Sequence, residues 1–173
     1  MKRADLQALI RSVPDFPKPG ILFRDITPLL KDARGFASAV DLLADEFIGD
    51  DIDYVVAIEA RGYVIGAPLA YKLGAGLIPV RKPGKLPSTT LRADYALEYG
   101  TNSLEIHSDA LSKGHRVIIV DDLLATGGTA LATKTLIERL GAEVVGAGFL
   151  IELADLAGRA KLGSTPVRTL LTY

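Results

Sequence analysis

Asp121 and Asp122 stand side by side, and after two leucines comes the run Ala125-Thr126-Gly127-Gly128-Thr129. Carboxylates accept hydrogen bonds from hydroxyl groups, whereas threonine hydroxyls and free backbone N–H groups donate to phosphate oxygens. Gly127 and Gly128 carry no Cβ, so the backbone can come close to an anion there. Upstream, Val117-Ile118-Ile119-Val120 has the pattern of a strand buried on both faces. Downstream, Ala132, Leu136 and Leu140 fall on one helical face, and Gly141 is placed to close the helix. The run therefore sits where a strand hands over to a helix N-terminus, whose unpaired N–H groups and partial positive charge suit a phosphate. The aspartates would repel a phosphate in contact, but set a little way back they suit a diol. A ribose 5-phosphate has both features. A nucleoside-triphosphate loop fits less well, because Gly128 runs straight into Thr129 where that motif has a lysine. Taken alone, the stretch also fits an ordinary strand-to-helix turn with solvated aspartates.

These groups need a scaffold, and the rest of the chain describes one. Tyr54 to Ile58 is a second buried strand, followed by Glu59-Ala60-Arg61-Gly62 and a helix from about Tyr63 to Leu73. Arg61 then falls on the same rim of the sheet, where it either meets a diphosphate oxygen or forms a salt bridge with Glu59. Gly76 to Val80 is a third strand, and Arg81, Lys82 and Lys85 follow it at once. They form either a solvated charge run or a local positive patch suited to a diphosphate. Leu86 to Asp94 shows no sustained period and reads as a mobile loop. Tyr95–Gly100 and Ser103–His107 are expected to pair as a hairpin. Glu143 to Ile151 is a further buried strand, thinned by glycines where backbones pack closely. Leu153 to Lys161 reads as a short helix and Val167 to Tyr173 as an edge strand.

At the N-terminus, Leu6, Leu9 and Ile10 predict a helix over Ala4–Arg11. Pro14, Pro17, Pro19 and Gly20 preclude regular structure and make a stiff, extended arm. The arm leads to Ile21–Asp25, then to Thr27, which caps a helix with Pro28 at its first position. Phe36, Val40, Leu43, Ala44 and Phe47 predict an amphipathic helix between Asp32 and Gly49. The fold expected is α/β: an open, mainly parallel twisted sheet flanked by helices, with ligands at the carboxyl ends of its strands. Residues 1–173 are expected to form one domain, with 1–30 supplying helix, arm and hood.

Composition narrows the function. Lysine and arginine number 20 and aspartate and glutamate 21, so no global charge draws the chain to nucleic acid or a membrane surface, and anion binding must be local. Without cysteine there is no disulfide framework, thiolate nucleophile or thiolate metal site. His107 and His115 lack partners at metal-ligand spacing and read as structural or solvent-facing. The first residues lack the apolar core of a signal peptide, and a cytoplasmic location is expected.

The Asp121–Thr129 stretch resembles the phosphoribosyl-diphosphate signature of the type I phosphoribosyltransferases. Further stretches resemble the adenine-using branch of that family: Pro14–Gly20 leading to Phe23-Arg24-Asp25-Ile26-Thr27-Pro28, Glu59–Gly62, Arg81–Pro87 and Leu97–Gly100. Tyr63, where a phenylalanine is frequent in the family, is a mild variation. The resemblance implies transfer of a phosphoribosyl group to adenine, with Ala125 to Thr129 on the 5-phosphate and Asp121 and Asp122 on the ribose hydroxyls. Both aspartates can serve only if the strand has begun to turn there; otherwise one is a support. Arg61, Arg81, Lys82 and Lys85 would then balance the diphosphate, and Glu98, with Tyr99 beside it, would be the acid/base group at the purine. Leu22 and Arg24 would read the purine edge through their backbone, and Phe23 would stack on its face, although on its own Phe23 reads rather as a core plug and only the resemblance reverses that. The resemblance further implies magnesium held mainly by substrate oxygens, and a homodimer. Another purine acceptor, or a non-catalytic phosphoribosyl-diphosphate sensor, remains open at this point.

Overall fold

The computed structural model describes residues 1–96 and 101–173. In chain order, helix α1 (Arg3–Gln7) leads to strands β1 (Arg11–Pro14) and β2 (Leu22–Asp25), then helices α2 (Thr27–Lys31) and α3 (Ala33–Asp45). Strand β3 (Tyr54–Ile58), helix α4 (Arg61–Leu73) and strand β4 (Gly76–Val80) follow, then β5 (Thr90–Ala96) and β6 (Thr101–His107). Strand β7 (Arg116–Leu124), helix α5 (Gly128–Arg139), strand β8 (Glu143–Glu152), two 3-10 turns (Ala154–Leu156 and Gly158–Leu162) and strand β9 (Val167–Thr172) complete it.

Five strands form one sheet in the order β4-β3-β7-β8-β9, with every neighbouring pair parallel. Its centre is buried on both faces, as the apolar runs require: Val55 to Ala57 and Val117 to Val120 are all 0% exposed. Val56, Val117 and Ile119 face the core beneath α5 and the β5–β6 pair, and Val55, Ile118 and Val120 face the core beneath α3 and α4. The chain runs outward from β3 to β4 in one direction and returns across β3 to β7 in the other. The strand order therefore reverses between β3 and β7, and their carboxyl ends share a crevice. Among the described residues no helix is long and apolar enough to cross a membrane.

The structure corrects several expectations. The first helix ends at Gln7, and Arg11–Pro14 is a strand, because it pairs antiparallel with Leu22–Asp25. A proline at the end of a two-stranded ribbon leaves its missing N–H at an edge. Helix α2 already includes Thr27, and the Asp25 carboxylate accepts from its N–H and its hydroxyl, both at 2.9 Å. Those bonds, the backbone one first, hold the Asp25 carboxyl below its usual range. The residues read as a loop from Leu86 to Asp94 contain the start of β5, which pairs from Thr90 to Ala96 with Thr101–His107. The stretch after β8 forms 3-10 turns in place of an α-helix. The glycines of β8 make room for a side chain: a Cβ on Gly148 would lie 2.9 Å from Cε2 of Phe47, which is 2% exposed.

Phe47 has no open space to retreat into, so Gly148→Ala is expected to destabilise the fold by roughly 1–3 kcal/mol through overpacking. Urea unfolding should show a lower midpoint at unchanged slope.

Candidate active site

The crevice between the ends of β3 and β7 holds a cavity of about 460 Å³. Glu59, Ala60 and Arg61 line it from the first loop, and Asp121 to Gly127 with Thr129 from the second. Lys82, Phe149 and the β5–β6 residues Tyr95, Asn102 and Leu104 close the remaining sides. The last four were not anticipated from sequence. They belong to separate elements whose meeting no local pattern announces.

One wall is the N-terminus of a helix. Helix α5 starts at Gly128 behind Gly127, which lies in the left-handed region at φ 77°, and no side chain caps it. The N–H groups of its first turn have no carbonyl within the helix to bond, and they lie at the positive end of the helix dipole. Ala125, Thr126, Gly127 and Thr129 line the cavity; Gly128 is outside its lining.

The two aspartates both line the cavity, although β7 continues past them to Leu124. The alternation of side chains is lost somewhere between Ile119 and Leu124. Ile119 and Leu124 share the core beneath α5, whereas strict alternation would place them on opposite faces. Asp122 is 4% exposed and accepts from Arg61 Nε at 2.6 Å. Asp121 Oδ1 accepts from the Asp122 N–H at 2.8 Å. Burial, and then the neighbouring Asp122 carboxylate, push the Asp121 carboxyl well above its usual range. Arg61 thus pairs with Asp122, not with Glu59. The Glu59–Ala60 peptide just before it is cis.

Glu59 belongs to the basic cluster. Its Oε2 accepts from Arg81 Nε at 3.1 Å and from the Lys82 N–H at 3.0 Å. Burial alone would raise the Glu59 carboxyl, but Arg81 and Lys82 hold it below the usual range. Arg81 also donates to the Lys85 carbonyl at 3.1 Å. Of the three cations after β4, Lys82 lines the cavity, and Arg81 and Lys85 are outside its lining. The Tyr63 hydroxyl donates to the Val80 carbonyl at 2.9 Å, tying the start of α4 to the end of β4, and burial pushes its pKa up to about 12.

Strand β2 approaches from the side. The Phe23 ring packs edge-on against Phe16 at 5.1 Å, and the Arg61 guanidinium stands 5.4 Å from its centre. Leu22 is 49% exposed. Arg24 turns its side chain away, donating to Ser12 Oγ at 2.5 Å and lying 3.9 Å over the Tyr173 ring. Glu98 and Tyr99 lie outside the described residues.

A parallel sheet with this strand reversal, a glycine-threonine loop at a helix start and paired carboxylates beside it define a sugar-phosphate transferase fold and site. Residues 25–170 match the phosphoribosyl transferase domain model, and the chain belongs to that family. Its relatives are of one particular kind. The adenine phosphoribosyltransferase of Trichormus variabilis is 57% identical over 171 residues, covering 98% of this chain and 99% of that one. The adenine phosphoribosyltransferase of Alkaliphilus metalliredigens is 59% identical over 169 residues, with the same coverage. The crystal structure of the Thermoanaerobacter pseudethanolicus adenine phosphoribosyltransferase superposes with a TM-score of 0.97 at 53% identity, covering 99% and 100% of the two chains. That from Saccharomyces cerevisiae, complexed with adenine and D-2,5-dideoxy-2,5-imino-altritol 1,6-bisphosphate, gives 0.92 at 42% identity, covering 97% of each.

The raised Asp121 carboxyl has a stability consequence. Its folded pKa lies above its unfolded one, so between the two the native state binds more protons and stability falls as pH rises through that window. Asp121→Asn is therefore expected to melt at a higher temperature than the parent at pH 7, with the difference shrinking towards pH 4. Thermal melts across that range would show it, and a pH-independent difference would contradict the assigned burial.

Proposed function

We infer that the protein transfers the phosphoribosyl group of 5-phosphoribosyl diphosphate to adenine, forming AMP and diphosphate, as in purine salvage. The observation that carries this is the near-full-length likeness to adenine phosphoribosyltransferases. The cavity at the strand reversal gives the likeness a physical basis.

As the anomeric carbon parts from its leaving group, positive charge grows on the ribose and negative charge on the diphosphate, so the protein acts chiefly by placement and electrostatics. The Ala125–Thr129 loop holds the 5-phosphate against the α5 N-terminus. Asp121 and Asp122 accept from the ribose hydroxyls and lie near the developing cation. Arg61 exchanges Asp122 for a diphosphate oxygen, with Lys82 beside it and Arg81 and Lys85 supporting that end. Glu98, with Tyr99 near it, takes the proton that adenine loses as its ring nitrogen attacks. That role rests on the resemblance. Phe23 stacks on the base, and the backbone at Leu22 and Arg24 reads its edge, so the β1–β2 ribbon serves as a hood on one domain spanning 1–173.

The donor set in the cavity fits magnesium. Asp121 and Asp122 are hard carboxylate oxygens, and among the described residues no three His, Cys, Asp or Glu side chains converge to cage a metal. A magnesium ion there would keep mainly diphosphate oxygens, ribose oxygens and water around it and would offset the leaving-group charge. A homodimer is part of the reading. It is supported by the outer face of α4, where Val64 and Tyr71 are 40% and 90% exposed, and by Leu77 on the edge strand β4, at 43%. The reading places the enzyme in the cytoplasm.

Incubation with adenine, magnesium and 5-phosphoribosyl diphosphate is expected to yield AMP. Hypoxanthine, guanine and xanthine are expected to react at least about 100-fold more slowly, because a site that hydrogen-bonds one base edge leaves groups unpaired against another. Comparable nucleotide formation from any of these would overturn the acceptor assignment. Glu98→Gln is expected to lower kcat by roughly 10²–10⁴ with little change in KM. An unchanged kcat would remove Glu98 from the mechanism.

A further inference from the structure

The connection between β8 and β9 lies directly behind the phosphate loop. A Cβ built on Gly158 would stand 2.1 Å from the Ala125 carbonyl oxygen and 2.9 Å from the Gly127 nitrogen. A Cβ on Gly127 would stand 2.4 Å from the Gly158 carbonyl oxygen. The two backbones are thus in direct contact, with no room for a methyl on either side. Gly158 is buried although it belongs to a surface 3-10 turn.

That turn is held from several sides. Glu152, at the end of β8 and 8% exposed, accepts both prongs of the Arg159 guanidinium, from Nε at 3.0 Å and from Nη2 at 2.5 Å. The remaining Arg159 prong, Nη1, donates to the Val167 carbonyl of β9 at 2.5 Å, and Thr169 Oγ1 donates to Glu152 at 3.2 Å. Arg159, first by its hydrogen bond, keeps the Glu152 carboxyl below its usual range, so the pair stays charged. Leu162, 0% exposed, anchors the far end of the turn in the core, and its carbonyl accepts from Lys134 of α5 at 3.0 Å. The Leu153 N–H donates to the Leu124 carbonyl at 2.9 Å, closing the near end against β7.

We propose that Gly158, locked in place by the Arg159–Glu152 pair, is a positioning residue that sets the Ala125–Gly127 backbone in the conformation that receives the 5-phosphate. None of these three residues lines the cavity. They act through the loop, whose N–H groups must converge on the anion before it arrives. A displacement of the turn moves the loop and leaves the diphosphate end, around Arg61 and Lys82, as it was. The proposal rests on the reading of Ala125–Thr129 as the 5-phosphate site.

Calorimetric titration of the full chain with ribose 5-phosphate, and separately with magnesium diphosphate, tests it. Gly158→Ala is expected to weaken ribose 5-phosphate binding at least about tenfold, since misplacing a positioning contact by about an ångström has effects of that order or larger. Diphosphate binding should stay within about twofold, since its partners come from the first loop and the stretch after β4, whereas Gly158 meets only Ala125 and Gly127. Arg159→Lys keeps the charge without the fork and Arg159→Ala removes both, and they should weaken ribose 5-phosphate binding in that order with the same selectivity. The Arg159 variants carry the test if Gly158→Ala fails to fold. Ribose 5-phosphate binding within twofold of the parent, or equal loss for both ligands, overturns the proposal. If the unsubstituted protein binds diphosphate but not ribose 5-phosphate, the reading of the loop falls, and the proposal with it.

Discussion

A carboxylate buried at the end of a strand needs an opposite charge to answer it. Here Arg61 reaches Asp122 at 2.6 Å from the neighbouring loop, and Asp122 itself is almost wholly buried. That contact exists because the strand order turns back between β3 and β7, so the two loops share one crevice. Arg81 and Glu59 repeat the arrangement one strand further out. Both arginines of the site are thus already partnered by its own acids, Arg61 by Asp122 and Arg81 by Glu59.

The loop at the start of α5 obeys a different constraint. Its donors are backbone N–H groups, which no side chain can aim, so their direction depends on what the backbone leans against. On one side that is α5, which the loop begins; on the other it is the turn at Gly158, braced by Glu152 and Arg159. The site therefore combines mobile charges on side chains with a fixed cradle made of main chain.

Much of this was legible in the residues themselves. Strands β3 and β4 occur over the stretches their apolar runs describe, and the loop between Val120 and Ala130 joins a strand to a helix as its glycines and threonines indicate. What escaped notice has physical reasons. The double aspartate looked like a strand end, but Asp122 is paired and Asp121 is hydrogen-bonded locally, so the strand runs on to Leu124. Strand β5 lacked an apolar period because its charged residues Arg92 and Asp94 are joined through Ser103 of the partner strand, a pattern visible only once the two strands are paired. Strand β1 owes its form to its pairing with β2, beyond the reach of its own four residues. Gly158 falls in a stretch that reads as a short helix, and nothing local marks it, since its meaning lies in a contact with residues far away in the chain. Glu98 and Tyr99 rest on family resemblance alone.

The central pairing of the sheet joins Tyr54 to Val117, with β4 and the β5–β6 pair lying between them in the chain. A long segment must therefore loop out before the two most buried strands can meet. Antiparallel β5 and β6 are near neighbours in sequence and can pair early, but β3 and β7 must wait for a costly closure. Folding of this chain is accordingly expected to be limited by that long-range closure. Until it happens the crevice does not exist, because its two rims belong to segments that have not yet found each other.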